Sequence, residues 1–416
     1  MTDEVAFLRE MLEIYSPSGH EGEIAAYLVA RMREMGFRAY LDGAGNAVGV
    51  MGEGERELVL LGHMDTVEGF IPVRIQDGCL YGRGAVDAKG PLAAFILAAA
   101  RVGPIPGWRI VVVGAVEEES SSRGARHLLG HFSPQAVVIG EPSGWEHITL
   151  GYKGRLRVLY RLAAPVRHST AEGPSAAEQA VGFWNRLAAF ADELNRGERF
   201  RFHTLDPTLH KITTHNGGFE EEVVMDITLR LPPGASIPDL KAQIRSWAGE
   251  AAVGFGGEDV PYKAEKNTPL VRAFLRAIRS LGGTPTFKVK LGTSDMNTVG
   301  PIWRCPVVAY GPGDSRLDHT PQEHLDLEEF RRAIRVLEEA ICGMTQWRND
   351  GMTQWQNDGM STQRSEIPSH PTIRRLENES RTGLFRRAGH LGDSGLAEGA
   401  LSMRGHHLHR RPGPGG

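Results

Sequence analysis

Three short apolar runs in this chain end on residues that bind divalent cations, and no other feature limits the fold as tightly. Leu58-Val59-Leu60-Leu61 leads into Gly62-His63-Met64-Asp65. Ile110 to Ala115 leads into Glu117-Glu118-Glu119, and Ala136 to Ile139 into Gly140-Glu141-Pro142. Unbroken apolar runs of this length are strands buried on both faces, as in a parallel sheet. Helical spacing lies around them: Val5, Leu8, Leu12; then Ile24, Leu28, Met32; then the Ala-rich Pro91 to Arg101, with Pro in its first turn. Strands alternating with helices predict an α/β fold with a mostly parallel sheet covered on both sides. Ligands in such sheets collect at the strands' carboxyl ends, where His63, the glutamate run and Glu141 fall.

From about residue 153 the texture changes. Leu156 to Leu162 alternates like a half-exposed strand. Ser175 to Leu194 is an amphipathic helix with a serine N-cap, Leu209 to Thr214 and Val223 to Leu231 alternate again, Ile237 to Ala248 is a helix, and Ala251 to Tyr262 a last strand. The order β-α-β-β-α-β predicts a ferredoxin-like α+β lid. A helix over Pro269 to Leu281 and an apolar strand near Pro306 to Tyr310 return to the first scheme. The expected organisation is therefore a discontinuous catalytic domain (1–152 plus 265–342), an inserted lid (153–264) and a tail (343–416). The tail holds the near-repeat GMTQWRND, GMTQWQND and then Ser-, Arg-, His- and Pro-rich stretches without period, so disorder is expected. His406, His407 and His409 lack carboxylate partners and are not read as a metal site.

Hydrophobic residues make up 41% and charged residues 24%, the balance of a globular protein. A formal charge of −4 gives no argument for nucleic-acid binding. Three isolated cysteines form neither a disulfide framework nor a thiolate site. With no signal peptide and no long apolar run, the expectation is a cytoplasmic protein without membrane contact.

Two further clusters complete the chemistry: Gly82-Arg83-Gly84-Ala85-Val86-Asp87-Ala88-Lys89-Gly90 and Asp318-His319-Thr320-Pro321-Gln322-Glu323. His, Asp and Glu suit zinc, manganese or cobalt. Asp87 can bridge two cations, one oxygen to each. His63 and Glu141 would complete one site; a glutamate of the 117–119 run and His319 would complete the other. A free carboxylate beside them can act as general base. Asp65 is placed to orient the His63 imidazole.

These clusters resemble the co-catalytic zinc aminoacylase and carboxypeptidase family, over about residues 1–343. Its members show G-H-x-D-x-V, G-R-G-x-x-D-x-K-G, D-E-E, a G-E-P-like turn and a late histidine. The resemblance implies amide hydrolysis with two zinc ions per subunit, cobalt being an alternative, and a lid that dimerises. It places His63, Asp87 and Glu141 at one metal and Asp87, a glutamate and His319 at the other. The glutamate register is open. The preferred alignment makes Glu118 the base and Glu119 the ligand; the rival makes Glu117 the base and Glu118 the ligand.

Gly62 to Gly69, Ala85 to Leu92 and Gly292-Thr293-Ser294-Asp295-Met296-Asn297 resemble a narrower branch, the LysW-lysine/ornithine hydrolases. Most other relatives carry Met after the bridging Asp; here it is Ala88. The branch implies release of lysine or ornithine from the C-terminal γ-glutamyl amide of the carrier protein LysW, in lysine or arginine biosynthesis. The alternative is an N-acyl amino acid deacylase of the acetylornithine or succinyl-diaminopimelate kind, or a dipeptidase. The family further implies a lid histidine (His168) that stabilises an oxyanion, often in the partner's site, and an arginine (Arg230) that grips a substrate carboxylate. Asp295 is the candidate for a substrate ammonium, with helix capping as its rival role. Glu323 either orients a ligand or caps local structure.

Overall fold

The computed structural model describes residues 3–345 except Ser169 and Ala171. The expected disorder of the tail and its histidines lie outside the described residues from 346 onward. The last helix, Leu327–Thr345, runs three residues past the start expected for that tail, and Met344 is buried in the core.

A nine-stranded sheet forms the centre. Its order is Arg38–Leu41, Ala47–Met51, Trp108–Ala115, Arg56–His63, Ala136–Gly140, Val307–Tyr310, His147–Tyr152 and Tyr262–Lys263, with Thr286–Lys290 also paired to His147–Tyr152. The inner four, from Trp108–Ala115 to Val307–Tyr310, are mutually parallel. Outside them, Arg38–Leu41, Ala47–Met51, His147–Tyr152 and Tyr262–Lys263 pair antiparallel, while Thr286–Lys290 is parallel to its neighbour.

Period-two alternation divides the inner strands between two apolar layers. Leu58, Leu60, Ile110, Val112, Ala136 and Val138 join the layer of helices Glu4–Glu13, Gly22–Glu34, Lys89–Val102, Pro269–Ser280 and Leu327–Thr345. Val59, Leu61, Val111, Val113, Val137 and Ile139 face the other way, with Ala125, Leu128, Met296 and Val299 from helices Arg123–Leu128 and Asp295–Trp303. Leu60 has no exposed surface, so truncation to Ala should cost about 2–5 kcal/mol.

The second sheet has four antiparallel strands in the order Asp206–Asn216, Glu220–Leu231, Gly154–Pro165, Ala252–Asp259. With helices Ala176–Leu194 and Ile237–Ser246 it makes the ferredoxin-like succession, around its own core of Leu156, Val158, Tyr160, Leu162, Met225 and Ile227. Ser175 caps the first of these helices, and Glu178 closes a capping box with it. The run expected as one strand to Tyr262 is two: Ala252–Asp259 stays in this sheet, and Tyr262–Lys263 crosses to the central one. Pro261 separates them, since proline donates no ladder hydrogen bond.

Asn297 holds both crossings. Its amide donates to the carbonyls of Lys153 (3.1 Å) and Val260 (2.8 Å). A third, small sheet joins His324–Asp326, Cys79–Tyr81 and Arg74–Gln76. Among the described residues no helix is long and apolar enough to cross a membrane.

Candidate metal centre

The parallel register brings the candidate ligands together. His63 ends its strand opposite Ala115, so the glutamate run begins beside it. Glu141 follows the next strand, and His319 lies in the loop after Tyr310. Asp87 sits in the turn before helix Lys89–Val102. That turn packs tightly: a Cβ on Gly90 would lie 2.3 Å from the Ala85 carbonyl oxygen.

Two ligand groups result, His63/Asp87/Glu141 and Asp87/Glu119/His319, with the donor atoms of each within 4.8 Å of one another. Asp87 is common to both. Its Oδ1 lies 3.2 Å from His63 Nε2, and its Oδ2 3.1 Å from His319 Nε2. Glu119 Oε1 is 2.9 Å from the same His319 nitrogen. His63 Nδ1 is 3.0 Å from the Asp65 carbonyl. Donation there keeps a proton on Nδ1, so that when Nε2 gives up the proton it shares with Asp87 its lone pair is the one left for a metal. Three N/O donors on each side of a shared carboxylate fit a pair of borderline divalent ions.

The glutamates have separate surroundings. Glu117, at φ +58°, turns away to bond Ser121 and Arg123. Glu118 is in neither ligand group. Its carboxyl is held well above the ordinary range, chiefly by burial, with Glu141, Asp295 and Glu119 adding repulsion against the pull of His63. Glu119 is the one beside His319. Asp65 ties this run to the His63 strand: its two oxygens accept the backbone N–H groups of Glu118 and Glu119, each at 3.1 Å, and Oδ2 also accepts Ser18 Oγ at 2.6 Å.

Charge is dense here. Burial foremost pushes the Glu141 and Asp295 carboxyls up to about 7 and Asp318 to about 8. His319 rises to about 10 through its hydrogen bonds to Asp87 and Glu119. Asp87 is driven far down: burial opposes this, but the bonds to His319 and His63 prevail.

Glu323 closes on the turn that carries Asp87. Its Oε1 accepts the N–H groups of Val86 (2.9 Å) and Asp87 (3.1 Å), and Oε2 takes Arg83 Nη1 at 2.8 Å. Asp295 is not the helix cap; Ser294 is, in a capping box with Asn297. Asp295 is 2% exposed and its Oδ1 has no partner. Arg230 Nη1 is likewise buried without one. His168 is exposed on the lid and bonds Thr170 at 2.8 Å; among the described residues no contact joins it to the ligand groups.

Several supports have no signature in residue spacing. Asn46 accepts the Val116 N–H and donates to the Gly124 carbonyl, bracing the glutamate loop. Glu21 accepts the Glu117 N–H. Tyr152 donates to Glu141 at 3.3 Å, and Lys290 Nζ lies 3.7 Å from the same oxygen.

The same arrangement of strands occurs in known proteins. A metallo-carboxypeptidase from Sulfolobus solfataricus superposes with a TM-score of 0.65 at 18% identity, over 83% of this chain and all of that one. A LysW-lysine hydrolase from Deinococcus radiodurans is 45% identical over 344 residues, covering 80% of this chain and 95% of the relative. A Pyrococcus furiosus protein, provisionally named a LysW-lysine/LysW-ornithine hydrolase, is 40% identical over 341 residues, covering 82% and 96%. The model of peptidase family M20/M25/M40 matches residues 59–342. These hydrolases act on amide bonds with divalent metal, and the two ligand groups around Asp87 are of that kind: this chain belongs to peptidase family M20/M25/M40.

Proposed function

We propose that this protein is a zinc-dependent amidohydrolase releasing lysine or ornithine from the C-terminal γ-glutamyl amide of the carrier protein LysW. The carrying observation is the pair of ligand groups sharing Asp87, with Glu118 free beside them, in a chain 45% identical to a LysW-lysine hydrolase.

His63, Asp87 and Glu141 would hold one zinc and Asp87, Glu119 and His319 the other; cobalt suits the same donors. Bound there, such a pair would supply an acidified water and a polarised scissile carbonyl. Glu118 takes the water's proton and passes it to the departing α-amine. Its burial serves that task, because a carboxylate held above its ordinary range is the stronger proton acceptor. Asp65 fixes the His63 ring, and Glu323 fixes the Asp87 backbone. Arg230 receives the released amino acid's carboxylate and Asp295 its side-chain ammonium, each through an atom now unpartnered.

Residues 1–152 and 265–342 form the catalytic domain, and the insertion is a lid that closes over it. Two copies pair through the lid, so that His168 donates to the oxyanion in the partner's site. The enzyme works in the cytoplasm.

The test is turnover of lysine- and ornithine-charged carrier beside acetylornithine and succinyl-diaminopimelate. Higher kcat/KM on a charged carrier is expected. Preference for either small acyl substrate would reject the carrier reading.

A further inference from the structure

Two charged poles adjoin the ligand groups, one acting through Asp295 on Glu118 and the other through Lys290 on Glu141, and only one is used by the reaction as described so far. The first is at the lid junction. Arg230, Arg155 and Asp259 act on one another there. Arg126 reaches Asp259 across the junction at 3.8 Å and also acts on Asp295. Two atoms of this pole, Arg230 Nη1 and Asp295 Oδ1, are buried without a partner, a cation for a carboxylate and a carboxylate for an ammonium.

The second pole stands at Glu141. Lys290 ends strand Thr286–Lys290 in register with Tyr152, and its ammonium lies 5.8 Å from the centre of that ring. The side chain is 15% exposed, so a desolvated but reachable cation looks into the centre. Its charge acts on Asp87, Glu141 and Asp318. At 3.7 Å from Glu141 it is beyond hydrogen-bonding distance, and that oxygen already accepts the Tyr152 hydroxyl. The donors of Lys290 therefore remain for something else.

We propose that Lys290 is a specificity residue that binds a carboxylate on the acyl half of the substrate, the Arg230–Asp295 pole being left to the released amino acid. This rests on the carrier reading above. An amide formed through a γ-carboxyl leaves the α-carboxylate of the acyl half free, a few bonds from the carbonyl. Such a substrate carries one carboxylate on each side of the bond to be broken, and the protein offers two cations with donors to spare, Arg230 and Lys290. An acetyl group has nothing for Lys290 to bind.

Two synthetic substrates test this: Nα-acetyl-γ-glutamyl-lysine, joined through the lysine α-amine, and the same molecule with its glutamyl α-carboxylate amidated. Wild-type enzyme should prefer the carboxylate form by about 10- to 100-fold in kcat/KM, mostly through KM, the range for one charge-assisted hydrogen bond. In K290Q that preference should fall to near one, and K290R should restore part of it, with zinc content unchanged by elemental analysis. Equal losses on both substrates, or zinc lost from K290Q, would make Lys290 a support of Glu141 and overturn the proposal. Calorimetric binding of N-acetylglutamate to the zinc-loaded wild type and K290Q reads the same contact without turnover. Weakening of about 10-fold or more in K290Q keeps the assignment even if the γ-glutamyl amide is not cleaved, an outcome that sinks only the carrier reading. Equal affinities reject it.

Discussion

The central sheet and the lid sheet are both well-packed, yet they constrain their polar residues very differently. In the parallel region each inner strand is buried on both faces, so polar side chains are confined to the strand ends: an Arg109–Glu57 ion pair at the amino ends, the candidate ligands at the carboxyl ends. There, neighbouring strands in register bring His63, the glutamate run and Glu141 together. The lid sheet covers one face with two helices and leaves the other to solvent. That outer face carries Arg157–Asp226 and Arg161–Glu222 pairs across its strands, exposed and of small energetic weight. In the first region a residue's position in sequence nearly decides its place in the site. In the second it decides only which face the residue occupies.

The sharpest way to break this contrast is Asp87→Ala. Both ligand groups share Asp87, so metal content and turnover should fall together, with kcat/KM down on the order of 10³-fold or more. A crystal structure of the metal-loaded wild type should show two ions about 3–4 Å apart. Retained metal at full occupancy in the variant would show that the groups are independent.

Next in size is the separation of adjacent glutamates. Glu118→Gln should keep both metals and lose about 10²-fold or more in kcat. Glu119→Gln should lose metal instead, because its carboxylate is the one beside His319. The reversed pattern would restore the alternative register.

That register shows what could and could not be read in the chain. The strand ends were legible because unbroken apolar runs have few other homes, and Asp87 because its cluster is specific. The choice among three consecutive glutamates depended on a left-handed backbone at Glu117, which sends that side chain to Arg123. No property of glutamate announces such a turn. Helix Asp295–Trp303 contains Gly300 and Pro301, which hide its period, so the sequence leaves Asp295 open between capping and substrate binding, and only the structure puts the cap at Ser294. The antiparallel flanks and the small sheet are short pairings set by tertiary contact. Glu323 looked like a neighbour of His319, yet its carboxylate closes on Val86 and Asp87, 236 and more residues away in the chain.

For the lid, His168→Ala carries the comparison. Loss of one oxyanion donor costs about 10²-fold in kcat with metal content unaltered. Mixing this variant with Glu118→Gln should regain part of the activity if the donor comes from a partner subunit. An unaltered kcat would return His168 to the solvated face where this chain alone leaves it.

Acid–base behaviour separates the regions more gently. Burial raises Asp295 and Glu141 to about 7 and Asp318 to about 8. In the unfolded chain these groups ionise near 4, so between roughly pH 4 and 8 the folded metal-free protein binds more protons and its stability falls as pH rises. Their contribution is complete below the unfolded values and lost on passing the folded ones. Metal-free Asp295→Asn should therefore lose less stability over that window, by about 1–2 kcal/mol at pH 8, read as a higher Tm. Divalent metal added to the wild type should offset the loss. A flat Tm across the window would show that the carboxylates are satisfied without metal.

The smallest effect expected is that of removing the chain beyond the last helix, and it depends on where the cut falls. Thr345 accepts the Trp108 indole N–H through its carbonyl at 3.1 Å, and Met344 is 1% exposed. Truncation after Thr345 keeps both and should leave Tm, metal content and kcat within error. Truncation after Gly343 removes a buried methionine, worth about 1.5–3 kcal/mol, and leaves the buried indole donor without its partner, a further 1 kcal/mol or so. The two constructions differ by two residues and test whether the helix, or the chain beyond it, completes the core. If the longer protein also loses stability or rate, residues past Thr345 contribute to the fold and the dispensable tail must begin later.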